Sequence, residues 1–175
     1  MHAIVLYTSK YGSTKDYAGW IAEEIGCEVR ETKKTCIEDL APYDTIILGG
    51  GLYAEVIAGA SLLVKNAAAL KGKKVAIFST GITPLSYREY YDTLVLEKNF
   101  KDGIPEGFKV FNFMGKMILD ELSLPHRTAI KALKKLMSGK KNPTEMEKLL
   151  IELCDADGDF TDKDAIKPLL DYIRN

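Results

Sequence analysis

Four stretches of almost unbroken apolar residues alternate along the chain with stretches of helical period. They are 3–8 (AIVLYT), 45–50 (TIILGG), 74–80 (KVAIFST) and 108–114 (FKVFNFM). Continuous apolar runs of this length are typical of strands that are buried on both faces of a parallel sheet. The segment 27–32 (CEVRET) alternates in polarity, so we expect a further strand at an edge of the sheet.

Helical patterns connect these strands. From Ser13 onward, apolar residues recur at intervals of three and four up to Gly26, a residue type that commonly ends helices. Further helices are predicted over 61–70, over the tyrosine-rich segment 87–100 and over 161–173, where Thr161 is the expected N-cap.

Strands that alternate with helices at this spacing predict an α/β fold, in which right-handed crossovers wind a parallel sheet. The 175 residues fit one domain of ordinary size. The segment 115–160 is longer than a strand-to-helix connection requires, and we expect it to be an insertion with its own helices. Ligands of open α/β sheets bind outside the carboxyl ends of the strands, and the predicted strands end there in glycine and hydroxyl residues.

Composition and charge narrow the class of protein. The chain is 46% hydrophobic and 28% charged, as in soluble globular proteins, and its net charge of −1 gives no electrostatic reason to expect nucleic acid as a partner. Cys27, Cys36 and Cys154 lie far apart, without metal-ligand spacing, and we interpret them as free thiols of a reducing compartment. We expect a cytoplasmic protein, since no apolar run has the about 20 residues of a transmembrane segment and no signal peptide precedes the first strand.

A loop rich in hydroxyl groups follows the first strand and leads into the first helix. Its residues are Ser9, Lys10, Tyr11, Gly12, Ser13 and Thr14. Backbone N–H groups at a helix N-terminus attract phosphate, hydroxyl groups can donate to its oxygens, and a glycine lets the backbone come close. A helix capped by serine or threonine, with no ligand, explains the same residues.

Other phosphate-binding motifs of α/β proteins are missing. The chain contains no Gly-x-x-x-x-Gly-Lys-Ser/Thr stretch, and the loop lacks the Gly-x-Gly-x-x-Gly pattern of dinucleotide sites. The strands that end at Thr8 and at Gly49-Gly50-Gly51 carry no acidic residue for a phosphoacceptor site. Three glycines followed by Leu52 and Tyr53 favour a close backbone approach to a flat ring. A phosphate loop and a slot for a flat ring together indicate a flavin mononucleotide (FMN) site.

Residues 5–14 (VLYTSKYGST), continued by Ala18 and Ile21, resemble the flavodoxin signature at every constrained position. The resemblance implies a doubly wound five-stranded sheet of order 2-1-3-4-5 that binds FMN, with the phosphate at residues 9–14. It implies that the isoalloxazine ring sits between two loops that follow strands. The first loop contains Gly50, Gly51, Leu52 and Tyr53, and the second contains Thr80, Gly81, Ile82 and Thr83.

The last third of the chain is more loosely similar to the flavodoxin-like, quinone-dependent protoporphyrinogen oxidases of bacteria. The similarity lies in residues 111–140 and 159–166. It implies a dehydrogenase of protoporphyrinogen IX in haem biosynthesis with a quinone as acceptor. The wider family implies an electron carrier with a redox partner protein. A module that has lost the flavin and binds partners is the alternative from another class. We expect no catalytic side chain, because the flavin carries the chemistry.

Six basic residues and no acidic one occupy the segment 126–141. They are Arg127, Lys131, Lys134, Lys135, Lys140 and Lys141. One interpretation is a helix that contacts an anionic membrane surface or a partner, and the other is an amphipathic helix with a solvated basic face. We expect no metal site, since the segment 155–162 (DADGDFTD) has Ile166 where an EF-hand loop closes with a glutamate.

Overall fold

A parallel sheet forms the centre of the computed structural model, which describes residues 1–175. The strands are β1 (Ala3–Thr8), β2 (Glu28–Glu31), β3 (Thr45–Tyr53), β4 (Val56–Ile57), β5 (Lys74–Gly81), β6 (Phe108–Met114), β7 (Lys116–Met117) and β8 (Gly158–Asp159). The parallel strands have the order β2-β1-β3-β5-β6, and β4 pairs antiparallel with the end of β3. Counted without β4, this is the predicted order 2-1-3-4-5, and the predicted α/β flavodoxin-like fold is confirmed.

Helices cover both faces of the sheet. The α-helices are α1 (Ser13–Ile25), α2 (Ser61–Val64), α3 (Leu96–Asn99), α4 (Leu124–Ser138), α5 (Glu145–Leu153) and α6 (Lys167–Arg174). A π-helical segment, Tyr90–Val95, runs directly into α3, and short 3₁₀ turns occupy Thr32–Lys34, Glu38–Leu40, Ala67–Leu70, Leu119–Glu121 and Lys163–Ile166.

Alternate residues of the central strands build two separate cores. On one face, Val5, Ile47 and Phe78 pack with α1 and α6. On the other, Leu48 and Ile77 pack with α2 and the π-helical segment. Because both faces are covered, the strands are apolar almost throughout, which is why they were recognisable in the sequence. Each fully buried large side chain contributes about 1.5–3 kcal/mol relative to exposure.

Two helix predictions are wrong in detail. The helix predicted over 61–70 ends at Val64, because the side-chain amide of Asn66 donates to the carbonyl oxygen of Leu62 at 2.8 Å and competes with the helical pattern. The helix predicted over 161–173 begins as a 3₁₀ turn whose N-cap is Asp162 rather than Thr161. The Thr161 hydroxyl donates instead to Asp159 at 2.8 Å.

The segment 115–160 forms a helical unit beside the sheet. Its ends are held together by the antiparallel pair β7–β8 and by a hydrogen bond from Phe160 N–H to the Gly115 carbonyl at 3.1 Å. Between them, α4 and α5 pack against each other, and neither helix contains a fully buried residue. None of the helices in the structure combines the length and the hydropathy that crossing a lipid bilayer requires.

Candidate functional site

The N-terminus of α1 presents unpaired backbone N–H groups. Gly12 directly precedes the helix and has a φ of 97°, a backbone conformation that residues other than glycine rarely adopt. The first intrahelical hydrogen bond runs from Asp16 N–H to the Gly12 carbonyl at 3.0 Å, and no side chain caps the helix. The N–H groups of Ser13, Thr14 and Lys15 therefore have no acceptor within the chain. A serine- or threonine-capped helix, the ligand-free explanation of this loop, is not what the structure contains.

The hydroxyl groups of the loop surround this helix end. Ser9 Oγ accepts the Gly12 N–H at 3.1 Å, which leaves the hydroxyl hydrogen of Ser9 free to donate. Ser13 and Thr14 are buried, and Thr14 Oγ1 lies 2.7 Å from Thr80 Oγ1 at the end of β5. The structure thus brings together two of the segments that the sequence predicted to share a site.

The three glycines at the end of β3 have a packing explanation within the chain. A Cβ at Gly49 would overlap the ring of Phe78, and one at Gly50 would overlap the backbone of Ala58. A Cβ at Gly51 would lie 2.8 Å from the ring of Tyr53. The prediction that these glycines serve the close approach of a ligand is therefore unnecessary to explain Gly49, Gly50 and Gly51.

Gly50, Gly51, Leu52 and Tyr53 all lie within β3, which corrects their prediction as a loop. Antiparallel pairs Leu52–Ile57 and Tyr53–Val56 form a hairpin with β4. The missing side chain at Gly50 leaves room for the backbone of Ala58, directly after β4, to pack against β3. The turn residues Ala54 and Glu55 have φ values of 46° and 64°, as type I′ hairpin turns require.

Asn99, at the end of α3, holds the hairpin in place. Its amide nitrogen donates to the Glu55 carbonyl at 2.7 Å, and its amide oxygen accepts the Ile57 N–H at 2.9 Å. Left-handed backbone at two non-glycine residues costs about 1–2 kcal/mol each, so the hairpin depends on contacts of this kind. Asn99 was not predictable from the sequence, since nothing in its neighbourhood distinguishes it from a surface amide.

The end of β5 lies beside the hairpin. A Cβ at Gly81 would touch Leu52 at 3.4 Å, so the two predicted ring-binding segments are in contact. Gly81 itself is the last residue of β5, and Ile82 and Thr83 follow it, half-buried and buried respectively. The Thr83 carbonyl accepts the Tyr91 hydroxyl at 2.5 Å, which ties this loop to the π-helical segment.

Residues of the insertion complete the surroundings of the loop 9–14. Tyr11 Oη lies 2.7 Å from His126 Nδ1 and accepts the Ser123 N–H at 3.3 Å. Lys10 Nζ donates to Ser123 Oγ at 3.1 Å, so its ammonium group points towards the insertion. The His126 ring also lies 5.3 Å from the Tyr53 ring, measured between centroids. His126 and Ser123 were missed because more than seventy residues separate them from their partners in the sequence.

The surroundings of several of these side chains shift their pKa values. Burial lowers the pKa of His126, and the Lys10 charge lowers it further. Burial raises the pKa of Tyr53, with a smaller contribution from Tyr11. Burial also raises the pKa of Tyr11, but hydrogen bonds from Ser123 and the Lys10 charge outweigh it, and the net pKa is lowered.

The six basic residues of 126–141 have different surroundings. Lys134 binds Asp155 at 2.6 Å, Lys140 binds Glu147, and Arg127 donates to the Leu119 carbonyl at 2.9 Å. The remaining three form no ion pair within 4.0 Å and are exposed; they are Lys131, Lys135 and Lys141. The basic helix is thus partly neutralised by its own domain.

A large cavity lies away from the strand ends. It has a volume of about 750 Å³ and follows the outer edge of β6 between Arg88, Lys109 and Asp164. None of the predicted site residues lines it, whereas loop 9–14, the hairpin and the end of β5 meet at the carboxyl edge of the sheet. We therefore place the candidate site at that edge, where the α1 N-terminus favours an anion and where Leu52 and Tyr53 supply an apolar and an aromatic side chain.

Comparison with known proteins agrees with this architecture. A family model described as a flavodoxin domain matches residues 4–144, which is more than half of the chain. No curated protein gives a significant match.

Solved structures that are similar to this chain include several flavodoxins at low identity. Oxidised flavodoxin 1 from Bacillus cereus is 20% identical, over 65% of this chain and 84% of that chain, with a TM-score of 0.45. A flavodoxin from the domain Archaea is 15% identical, over 89% and 97%, with a TM-score of 0.44. A variant of a Fusobacterium nucleatum flavodoxin bound to flavin mononucleotide is 19% identical, over 65% and 69%, with a TM-score of 0.42. The assignment of the family rests on the domain match: the chain belongs to the flavodoxin family.

Proposed function

We propose that the protein binds FMN and functions in oxidation and reduction through that flavin. The observation that carries the proposal is the N-terminus of α1, where three N–H groups without acceptors lie among hydroxyl groups behind Gly12. Such a helix end has a partial positive charge of about one half and favours a phosphate. Membership of the flavodoxin family supports the same cofactor.

The residues present fit the cofactor. Ser9, Ser13 and Thr14, together with the N–H groups of residues 13–15, would hold the phosphate. Leu52 and Tyr53 on one side and residues 80–83 on the other would flank the ring. Bound FMN supplies the redox chemistry, while these residues bind it, orient it and exclude water from it.

Titration of the purified protein with FMN tests the proposal. We expect saturable quenching of flavin fluorescence at one FMN per chain. The double variant S9A/T14A should bind FMN at least tenfold more weakly, because two donors to a charged phosphate are lost. A wild-type protein that leaves flavin fluorescence unchanged would instead be a partner-binding module without flavin.

Dehydrogenation of protoporphyrinogen IX is the second candidate, against the simpler role of an electron carrier. One observation favours it: the insertion reaches the site, since His126 contacts both Tyr11 and Tyr53. The insertion could therefore form a wall of a substrate pocket beside the flavin. Anaerobic incubation of the FMN-loaded protein with protoporphyrinogen and a soluble quinone separates the two roles. Porphyrin fluorescence that appears only with the protein present supports the dehydrogenase, and its absence supports the carrier.

A further inference from the structure

The first residue of β7 places an ammonium group directly over the phosphate loop. Lys116 Nζ lies so close to Gly12 that a Cβ there would be 2.9 Å from it. Only 23% of the Lys116 side chain is exposed, and its ammonium group donates no hydrogen bond within the chain. The preceding strand, β6, ends at Met114, so Lys116 lies at the same carboxyl edge of the sheet as the rest of the site.

The carboxylates near Lys116 do not satisfy it. Asp16 Oδ2 is 4.0 Å away, at the limit of an ion pair, and that carboxylate is nearly half exposed. Asp159, the register partner of Lys116 across β7–β8, already accepts the N–H and the hydroxyl of Thr161. Lys116 lowers the pKa of Asp159, but less than those hydrogen bonds do.

This arrangement places positive charge beside positive charge. The N–H groups at the N-terminus of α1 already form the positive end of the helix dipole, and the ammonium group of a mostly buried lysine side chain lies next to them. An ammonium group whose nearest carboxylate oxygen is 4.0 Å away and a helix end without a cap become favourable together when a multiply charged anion sits between them.

We propose that Lys116 is a phosphate-binding residue of the flavin site and selects flavins that end in a phosphate monoester. The inference rests on the proposed function and deepens it. Lys116 supplies the countercharge to a dianionic phosphate, whereas backbone N–H groups and hydroxyls supply the geometry. Lys10, the lysine inside the loop, donates to Ser123 and serves the contact with the insertion instead.

Fluorescence titrations with FMN and with riboflavin, which lacks the phosphate, test this assignment. We expect Lys116→Met to weaken FMN binding about 10- to 100-fold, as loss of a charge-assisted hydrogen bond does, and to leave riboflavin binding unchanged. Lys116→Arg keeps the charge and should stay within a few-fold of wild type. Lys141→Met is the control: it removes an exposed lysine that forms no ion pair and lies outside the candidate site, and it should change FMN affinity less than threefold.

The outcomes distinguish failure of the Lys116 assignment from failure of the proposed flavin site. Equal losses of FMN and riboflavin affinity in Lys116→Met would show a purely structural role and overturn the inference. Unchanged FMN affinity in that variant would overturn it as well, while the flavin site itself stood. A wild-type protein that binds neither flavin removes the proposed function, and the inference with it.

Thermal unfolding of the flavin-free protein is a second test of Lys116, because the substitution should weaken FMN binding without lowering the stability of the fold. Because Lys116 lies beside a positive helix end, Lys116→Met should not lower the melting temperature of the flavin-free protein. A clear decrease would mean that Lys116 stabilises the fold through Asp16 or Asp159, contrary to the proposal.

Discussion

The hydroxyl oxygens of Thr14 and Thr80 lie 2.7 Å apart in the interior between α1 and the end of β5. Both side chains are almost fully buried, at 2% and 4% exposure. The contact joins the predicted phosphate loop to the predicted ring-binding segment. Each hydroxyl therefore depends on the other for its hydrogen bond, and this dependence can be measured.

Replacing one of the two threonines should destabilise the protein more than replacing both. Thr14→Val leaves the Thr80 hydroxyl buried without its partner, and we expect the free energy of unfolding to fall by about 1–3 kcal/mol. The double variant T14V/T80V removes both polar groups at nearly constant volume, so urea unfolding should show most of that loss recovered.

The affinity for FMN should not recover in the double variant. The phosphate would still lack the Thr14 donor, so stability and affinity should separate. If the double variant unfolds as easily as Thr14→Val, the two hydroxyls do not form the coupled pair described above.

The amide of Asn99 should control the opening of the hairpin 53–57. Asn99→Leu keeps the side-chain volume but removes the hydrogen bonds to Glu55 and Ile57. We expect amide hydrogen exchange at Ile57 to accelerate about tenfold or more, since loss of one or two such bonds changes a local opening equilibrium by at least that factor. Asn66→Leu, which removes an amide that binds a carbonyl elsewhere, should leave this exchange unchanged.

Relief of backbone strain in the same turn should have the opposite effect. Glu55 has a φ of 64°, where glycine is favoured over glutamate. Glu55→Gly should therefore raise the free energy of unfolding by up to about 1 kcal/mol, measured by urea denaturation. A decrease would show that the Glu55 side chain stabilises the hairpin by more than its backbone strain costs.

The central sheet and the phosphate loop were predictable because their signals are local. A strand such as 74–80 is apolar at consecutive positions, and the loop 9–14 concentrates its hydroxyls within six residues. The roles of Gly49 and Gly50 were not predictable. A glycine in the sequence does not indicate whether a ligand or another part of the chain, here Phe78 and Ala58, occupies the space beside it.

The residues that the insertion 115–160 contributes to the site were also not predictable from the sequence. Its contacts, such as Tyr11 with His126, join residues 115 positions apart, and no periodic pattern reports such a pairing. Lys116, in contrast, could have been predicted from the sequence. It follows a predicted strand by two residues, and the rule that ligands bind at strand ends would have included it.

The stability of the protein should decrease below about pH 6.5 through His126. Burial, and then the Lys10 charge, lowers the pKa of His126 in the folded protein. The folded state therefore favours the neutral ring, so this stability is present above the unfolded pKa of about 6.5 and is lost as the pH falls through the folded value. His126→Gln should flatten the dependence of unfolding free energy on pH between 7.5 and 5.

The other histidine provides the control for this measurement. His2 is exposed at the start of the chain, and the chain contains only two histidines. We expect His2→Gln to keep most of the wild-type slope. An identical slope in wild type and His126→Gln would show that His126 does not favour its neutral form in the folded protein.

At high pH the protein should lose stability through Tyr91. Burial, and then the neighbouring Tyr90, raises the pKa of the Tyr91 phenol well above 10, and its hydroxyl donates to the Thr83 carbonyl at 2.5 Å. The folded state favours the neutral phenol, so the stability from this group is complete below the unfolded pKa of about 10 and is lost as the pH rises towards the folded value. Tyr91→Phe should lower the unfolding free energy at pH 7 by about 1 kcal/mol, for one hydrogen bond, and weaken the decline above pH 10. Tyr87→Phe, on the same side of the sheet, is the control, and an equal decline in Tyr91→Phe and wild type would contradict the assignment.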